Sequence, residues 1–181
     1  MVVKERELAS ALARLNKKPA LVVCDSQIVL KAVADTPPDI PLTTFSILMA
    51  RFKGDLAAFA RGAAAIDQLQ PGDAVLVSEA CGHHPSADDI GRVKIPRWLM
   101  QNTGKHFEFE WTSGTGFPDD LTPYSMVIHC GACMLNPREV TYRMNCALDQ
   151  GIPFINYGIL IAALHGVLER SIRPLGLSVT Q

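Results

Sequence analysis

Cysteine and histidine are scarce in this chain, five of each in 181 residues, and no Lys or Arg run occurs anywhere. An odd number of Cys in a chain this long excludes the dense, even disulfide framework of secreted mini-proteins. Thiols left unbridged suit a reducing compartment, so a cytoplasmic protein is expected. With 17 basic and 18 acidic residues interspersed, the formal charge is -1. That balance gives no electrostatic reason to expect nucleic acid or an anionic membrane as partner, and leaves small molecules or proteins. No stretch approaches the roughly 18 apolar residues of a membrane span. Even the apolar run 152–168 is interrupted by Pro153, Asn156 and His165. The start, Met1 to Glu7, places charges where a signal peptide needs an apolar core. Low-complexity tracts and internal repeats are also missing. What remains is an ordinary globular chain, long enough for one large or two small domains with a hydrophobic core.

Short runs rich in Val and Ile alternate with longer helix-like segments, the pattern of βα units around a parallel sheet. The fold class is therefore α/β, as two small βα-type domains with largely parallel sheets. Helix is expected over 5–15, strand over 21–24, and a second helix capped by Ser26 that Thr36-Pro37-Pro38-Asp39 ends. A strand over 42–44 leads into helical residues 45–69, broken at Gly54 with Asp55 as N-cap. Pro71-Gly72-Asp73 is a turn and divides the chain into domains 1–72 and 73–181. Beyond it the pattern predicts strand 74–78, helix 87–100 interrupted at Pro96, strand 106–111, and a loop at Ser113-Gly114-Thr115-Gly116. The last third reads as strand 125–128, helix 137–149, strand 153–155 and a buried apolar helix over 157–170.

The scarce soft residues are not scattered. They gather in Cys81-Gly82-His83-His84 and His129-Cys130-Gly131-Ala132-Cys133, and soft ligands so concentrated commonly hold a soft metal. Each cluster follows a predicted strand. Ligands of open α/β sheets bind at the carboxyl ends of strands, so segments nearly fifty residues apart can converge on one site. Asn136-Pro137-Arg138-Glu139 starts a helix just beyond Cys133, and its amide donors and positive dipole end favour thiolates.

Three readings compete on spacing. Cys81, Cys130 and Cys133 can hold three irons of a [4Fe-4S] cluster and leave the fourth to an exchangeable ligand. The same thiols with one His make a Cys3His zinc site that structures an interaction domain. Cys130 and Cys133 alone resemble a CxxC dithiol redox pair. His83, His129 and Asp88 are candidates for a fourth ligand or for donors to a cluster sulfur, and Asp88 and Asp89 could equally cap the helix after Cys81. His84 is read as structural or supporting, and Glu79 as strand-end polarity. Cys24, Cys146 and His165 read as packing residues. Arg92, Lys94 and Arg97 read as a solvated face.

Cys81-x-His83, a gap of 45 residues, then His129-Cys130-x-x-Cys133 resembles the cluster signature of the HydF family, the [FeFe]-hydrogenase maturation GTPases. Residues 25–27, 40–48, 89–98, 124–136, Asn156-Tyr157-Gly158 and Leu164-His165-Gly166 resemble that family as well. The resemblance implies a partial dimerisation domain followed by a domain binding a [4Fe-4S] cluster through three Cys. It implies a scaffold or carrier of a diiron subcluster precursor, a homodimer, and as partners the [FeFe]-hydrogenase and the radical-SAM maturation enzymes. No Gly-x-x-x-x-Gly-Lys-[Ser/Thr] phosphate loop is present. The expectation is therefore a fragment without the family's GTPase domain, and no enzymatic activity is expected of it.

Overall fold

The Val- and Leu-rich runs form strands, and every strand pairing is parallel, in the computed structural model of residues 1–80 and 87–178. A 3-10 turn, Glu5–Glu7, leads into α1 (Leu8–Ala13), and β1 (Val22–Cys24) follows. It returns through α2 (Val29–Asp35) to β2 (Leu42–Thr44), with Val22 opposite Leu42. The expected Ser26 cap is replaced by Asp25, whose carboxylate accepts from the Gln27 amide at 2.8 Å. Ser26 is instead buried and donates its hydroxyl to Thr44 Oγ1 at 3.1 Å. The inward side chain ties the turn to β2, and the outward one is left to cap.

Thr44 caps α3 (Phe45–Lys53), and Asp55 caps α4 (Leu56–Ala64) by accepting from the amides of Ala57 and Ala58. The break at Gly54 thus falls where the sequence put it. α4 packs against the second sheet, which contains β3 (Ala74–Glu79), β4 (Glu108–Ser113), β5 (Met126–His129) and β6 (Phe154–Asn156) in the order β4-β3-β5-β6. Val75, Leu76 and Val77 on β3 and Met126, Val127 and Ile128 on β5 are fully buried, as continuous apolar runs in a two-sided parallel sheet should be.

Between β3 and β4, a π-helical segment, Ile90–Lys94, continues into α5 (Ile95–Thr103). Pro96 does not interrupt the helix. It stands in the first turn of α5, where its missing N–H is not needed. α6 (Pro137–Asp149) joins β5 to β6 over the predicted span. The single buried helix expected over 157–170 is two, α7 (Tyr157–Leu164) and α8 (Leu168–Ile172). Gly166 at φ 68° adopts the left-handed conformation that closes a helix, and its N–H returns to the Ala163 carbonyl.

α3 packs on α6 and α7, and one buried apolar cluster runs from Val22, Leu42 and Ile47 to the four-stranded sheet. No helix among the described residues is long and apolar enough to cross a membrane. Because all strands are parallel, β3, β5 and β6 end on the same edge, which delivers residues 80, 130 and 157 to one region.

Candidate functional site

Cys130 is the first residue past β5, and its N–H donates to the Ser78 carbonyl at 2.9 Å, extending the β3–β5 ladder. Its sulfur then faces the exit of β3. Cys130 Sγ accepts from the Ala80 amide at 3.1 Å and from the Ala132 amide at 3.4 Å. Ala80 is the residue bonded to Cys81, so the two cysteine-bearing segments meet at this sulfur. Cys81, His83 and His84 themselves lie outside the described residues.

Past Cys130 the chain turns sharply. Ala132 has φ 55°, left-handed for a residue with a Cβ, a conformation that costs about 1–2 kcal/mol and persists only when its surroundings impose it. Cys133 is exposed beyond it. The helix start expected after Cys133 is present, with Asn136 Oδ1 accepting from the Glu139 amide at 2.9 Å. Lys53, at the end of α3, reaches across and donates to the carbonyls of Ala132 at 2.7 Å, Cys133 at 3.0 Å and Leu135 at 2.7 Å. A cavity of about 10 Å³ behind the loop has no room for an organic ligand, so the surface at Cys133 is the accessible side.

His129, a fourth-ligand candidate, is 1% exposed at the end of β5. Its Nδ1 lies 2.9 Å from the Cys130 carbonyl, which only accepts, so Nδ1 carries the proton. Nε2 is then the acceptor that faces Arg143 Nη1 at 3.4 Å. Burial, helped by the Arg143 charge, pushes the His129 pKa down to about 4. The imidazole is therefore neutral at ordinary pH, and both its nitrogens are engaged.

Arg143 is itself 1% exposed. It donates to Glu139 Oε1 at 2.8 Å and to the Gly114 carbonyl at 2.7 Å, and lies over the Phe117 ring. One guanidinium thus joins α6, β5 and the turn after β4. The Glu139–Arg143 spacing of one helical turn was the available sequence signal for this pair.

On the other side of Cys130, Glu79 is buried and accepts from the Tyr157 hydroxyl at 3.5 Å, with Arg92 Nε 3.7 Å away. Glu79 is therefore more than strand-end polarity. Burial, reinforced by the Glu79 and Cys130 charges, pushes the Tyr157 hydroxyl far up, so it remains a donor. Gly91 is packed so closely that an added Cβ would lie 2.2 Å from Tyr157 Oη. Asp89 caps the π-helical segment through the amides of Gly91 and Arg92, both at 2.9 Å. Asp88 pairs with Lys94 at 2.9 Å. Lys94 also donates to Gln27 at 2.9 Å and is half-buried, so it is not part of the expected solvated face, whereas Arg92, lying over Trp111, and Arg97 are exposed as the sequence suggested. The Lys53, Arg143 and Tyr157 roles were not read from sequence, since each depends on contacts between distant segments.

Among the described residues no group of three or more His, Cys, Asp or Glu side chains stands ready to hold a metal ion. The donors that are described nonetheless fit a thiolate-held metal group. A sulfur accepting two backbone N–H bonds is stabilised as thiolate, and such bonds tune iron–sulfur centres. The start of α6 and the Lys53 ammonium add positive potential on the same side.

Comparison with known proteins gives two family matches. A family model described as the hydrogen maturase F dimerization domain matches residues 1–54. A second, described as the hydrogen maturase F tetramerization domain, matches residues 57–174. Neither is a nucleotide-hydrolysing domain, and no curated protein matches the chain.

Proposed function

The chain belongs to the hydrogen maturase F family, and from that premise we propose that it is a scaffold of [FeFe]-hydrogenase maturation that holds a [4Fe-4S] cluster through Cys81, Cys130 and Cys133. Family membership by itself gives a role in hydrogenase maturation and oligomerising domains. The cluster, and a diiron subcluster precursor as cargo for the hydrogenase, belong to the proposal. So do the radical-SAM maturation enzymes as partners.

The observation that carries the reading is the pair of backbone amides, Ala80 and Ala132, aimed at Cys130 Sγ. A buried apolar thiol has no use for two donors. A thiolate has, because each N–H offsets part of its charge. Exposed Cys133 on the same loop supplies a second sulfur three residues beyond, and Cys81 is covalently next to the donor Ala80. A cluster anchored by three thiolates leaves one iron for an exchangeable ligand. The protein's part is to orient the sulfurs, supply N–H donors and keep water from the inner side, where His129, Arg143 and Tyr157 are packed.

Anaerobic reconstitution with iron and sulfide tests the assignment against zinc and dithiol alternatives. About four irons per chain, matching sulfide and a brown colour are expected. Cys81→Ser, Cys130→Ser or Cys133→Ser should each abolish them, and Cys24→Ser or Cys146→Ser should not. Full loading in all three site variants, or zinc in place of iron with no colour, overturns the reading. Added imidazole should alter the spin spectrum of the reduced protein, since the fourth site is exchangeable.

A further inference from the structure

The end of α3 carries a cation whose hydrogen bonds all go to one loop. Lys53 Nζ donates to the carbonyls of Ala132, Cys133 and Leu135, about eighty residues away in sequence. Among the described residues no carboxylate pairs with it. Its own carbonyl is held by the Thr141 hydroxyl of α6 at 3.5 Å. An ammonium suits this place better than a planar group, since it offers three donors from one compact centre.

The loop requires such a centre for two reasons. Ala132 is the one residue other than glycine with positive φ among the described residues, so the turn between the cysteines does not hold itself. Three carbonyl dipoles also converge on one point, and their negative ends repel unless a cation lies between them. Carbonyl oxygens neutralise no charge. The positive charge of Lys53 is therefore left over, on the loop that carries both sulfurs.

Lys53 lies in the dimerization-domain match and the loop in the tetramerization-domain match. The contact is thus a link between the two family segments. We propose that Lys53 is the positioning residue of the Cys130–Cys133 loop, clamping its carbonyls from the neighbouring segment and supplying a positive charge to the anionic group that the sulfurs hold. The second half of this statement rests on the cluster reading above; the clamp stands without it.

The test uses the full chain as Lys53→Met, Lys53→Gln and Lys53→Arg, with Lys31→Met as a control at an exposed lysine. Amide hydrogen exchange of residues 131–135 is measured without metal. Iron retention against a chelator and the reduction potential are measured after anaerobic reconstitution. Lys53→Met should speed exchange in the loop, cut iron retention 10- to 100-fold as loss of an outer-shell partner does, and move the potential to more negative values, because a positive charge favouring the reduced form is gone. Lys53→Arg should restore the potential and most of the retention, and the control should match wild type.

Loop exchange, retention and potential all unchanged in Lys53→Met overturn the proposal. So does retention lost equally in the Met and Arg variants with no shift in potential. Lys53→Gln, which keeps a donor without the charge, answers the same question if the Met variant does not fold. Failure of the wild type to take up iron sinks the cluster reading alone, and the exchange measurement still decides the clamp.

Discussion

Cys24 and Cys130 end or follow parallel strands in the same chain, yet their sulfurs meet opposite surroundings. Around Cys24 there is burial and the neighbouring Asp25 carboxylate, which push its thiol up to about 11. Around Cys130 there are two amide donors. The first environment keeps the proton on sulfur, and the second favours removing it. Alkylation by iodoacetamide at pH 8 should therefore label Cys24 roughly a hundredfold more slowly than an unperturbed thiol, because two pH units cut the thiolate fraction by that factor. The Cys24 rate should keep rising until about pH 11. Labelling of Cys24 as fast as exposed Cys133 at pH 8 would contradict the packing role. Sequence distinguished the two cysteines only by company: Cys130 has a Cys two residues beyond Ala132's neighbour Gly131, and Cys24 has none nearby. The amide donors were invisible there, since Ala80 lies just past β3, fifty residues away, and the Ala132 amide turns to the sulfur only through the left-handed conformation of the loop.

Elements followed the sequence where their signals are local. Asn136 and Asp55 start helices because an Asx side chain bonds amides two or three residues on, whatever the rest of the fold does. Ser26 and Asp25 were confused because both can cap, and only packing against β2 decides which side chain turns inward. Apolar periodicity continues through the break between α7 and α8, which hides it in the sequence although Gly166 marks it.

Gly158 sets two element-scale effects against each other. Replacing a helical Gly by Ala ordinarily gains about 1 kcal/mol. Here the added Cβ would lie 2.4 Å from Ser46 Cβ and 3.2 Å from the Ile47 amide nitrogen on α3, and overpacking costs about 1–3 kcal/mol. Gly158→Ala should therefore destabilise by about 1 kcal/mol net in urea unfolding, with α3 forced off α7. A stabilised variant would mean that the α3–α7 contact yields easily.

The whole molecule is held across its family-domain junction by long cations rather than by apolar contact alone. Lys53 reaches forward from the first segment, and Arg170 on α8 reaches back. Arg170 donates to the carbonyls of Val33 at 3.0 Å, Thr36 at 2.6 Å and Pro37 at 3.1 Å, closing the end of α2. Removing these donors leaves three carbonyls to find water, and charged hydrogen bonds contribute about 1.5–3 kcal/mol each at most. Arg170→Leu should lower stability by about 2 kcal/mol and speed amide exchange in residues 29–37 ahead of the four-stranded sheet. Uniform exchange through both segments would show that the latch is not local. The tetramerization description of the larger match also extends the oligomerisation expected from sequence, which reached only a dimer.

Sequence by itself determined the α/β class, the parallel strands, most helix starts, the family, and the concentration of soft residues after two strands. Those follow from neighbours along the chain: apolar runs, capping side chains and the spacing of cysteines. Tertiary structure alone decided that the Ala80 amide meets Cys130, that His129 is buried and neutral against Arg143, and that Lys53 holds the loop. These are contacts between residues about 14 to 82 positions apart, and no local signal fixes which distant side chain fills a given gap. A lysine in a helix reads as surface charge until the fold brings three carbonyls to its end.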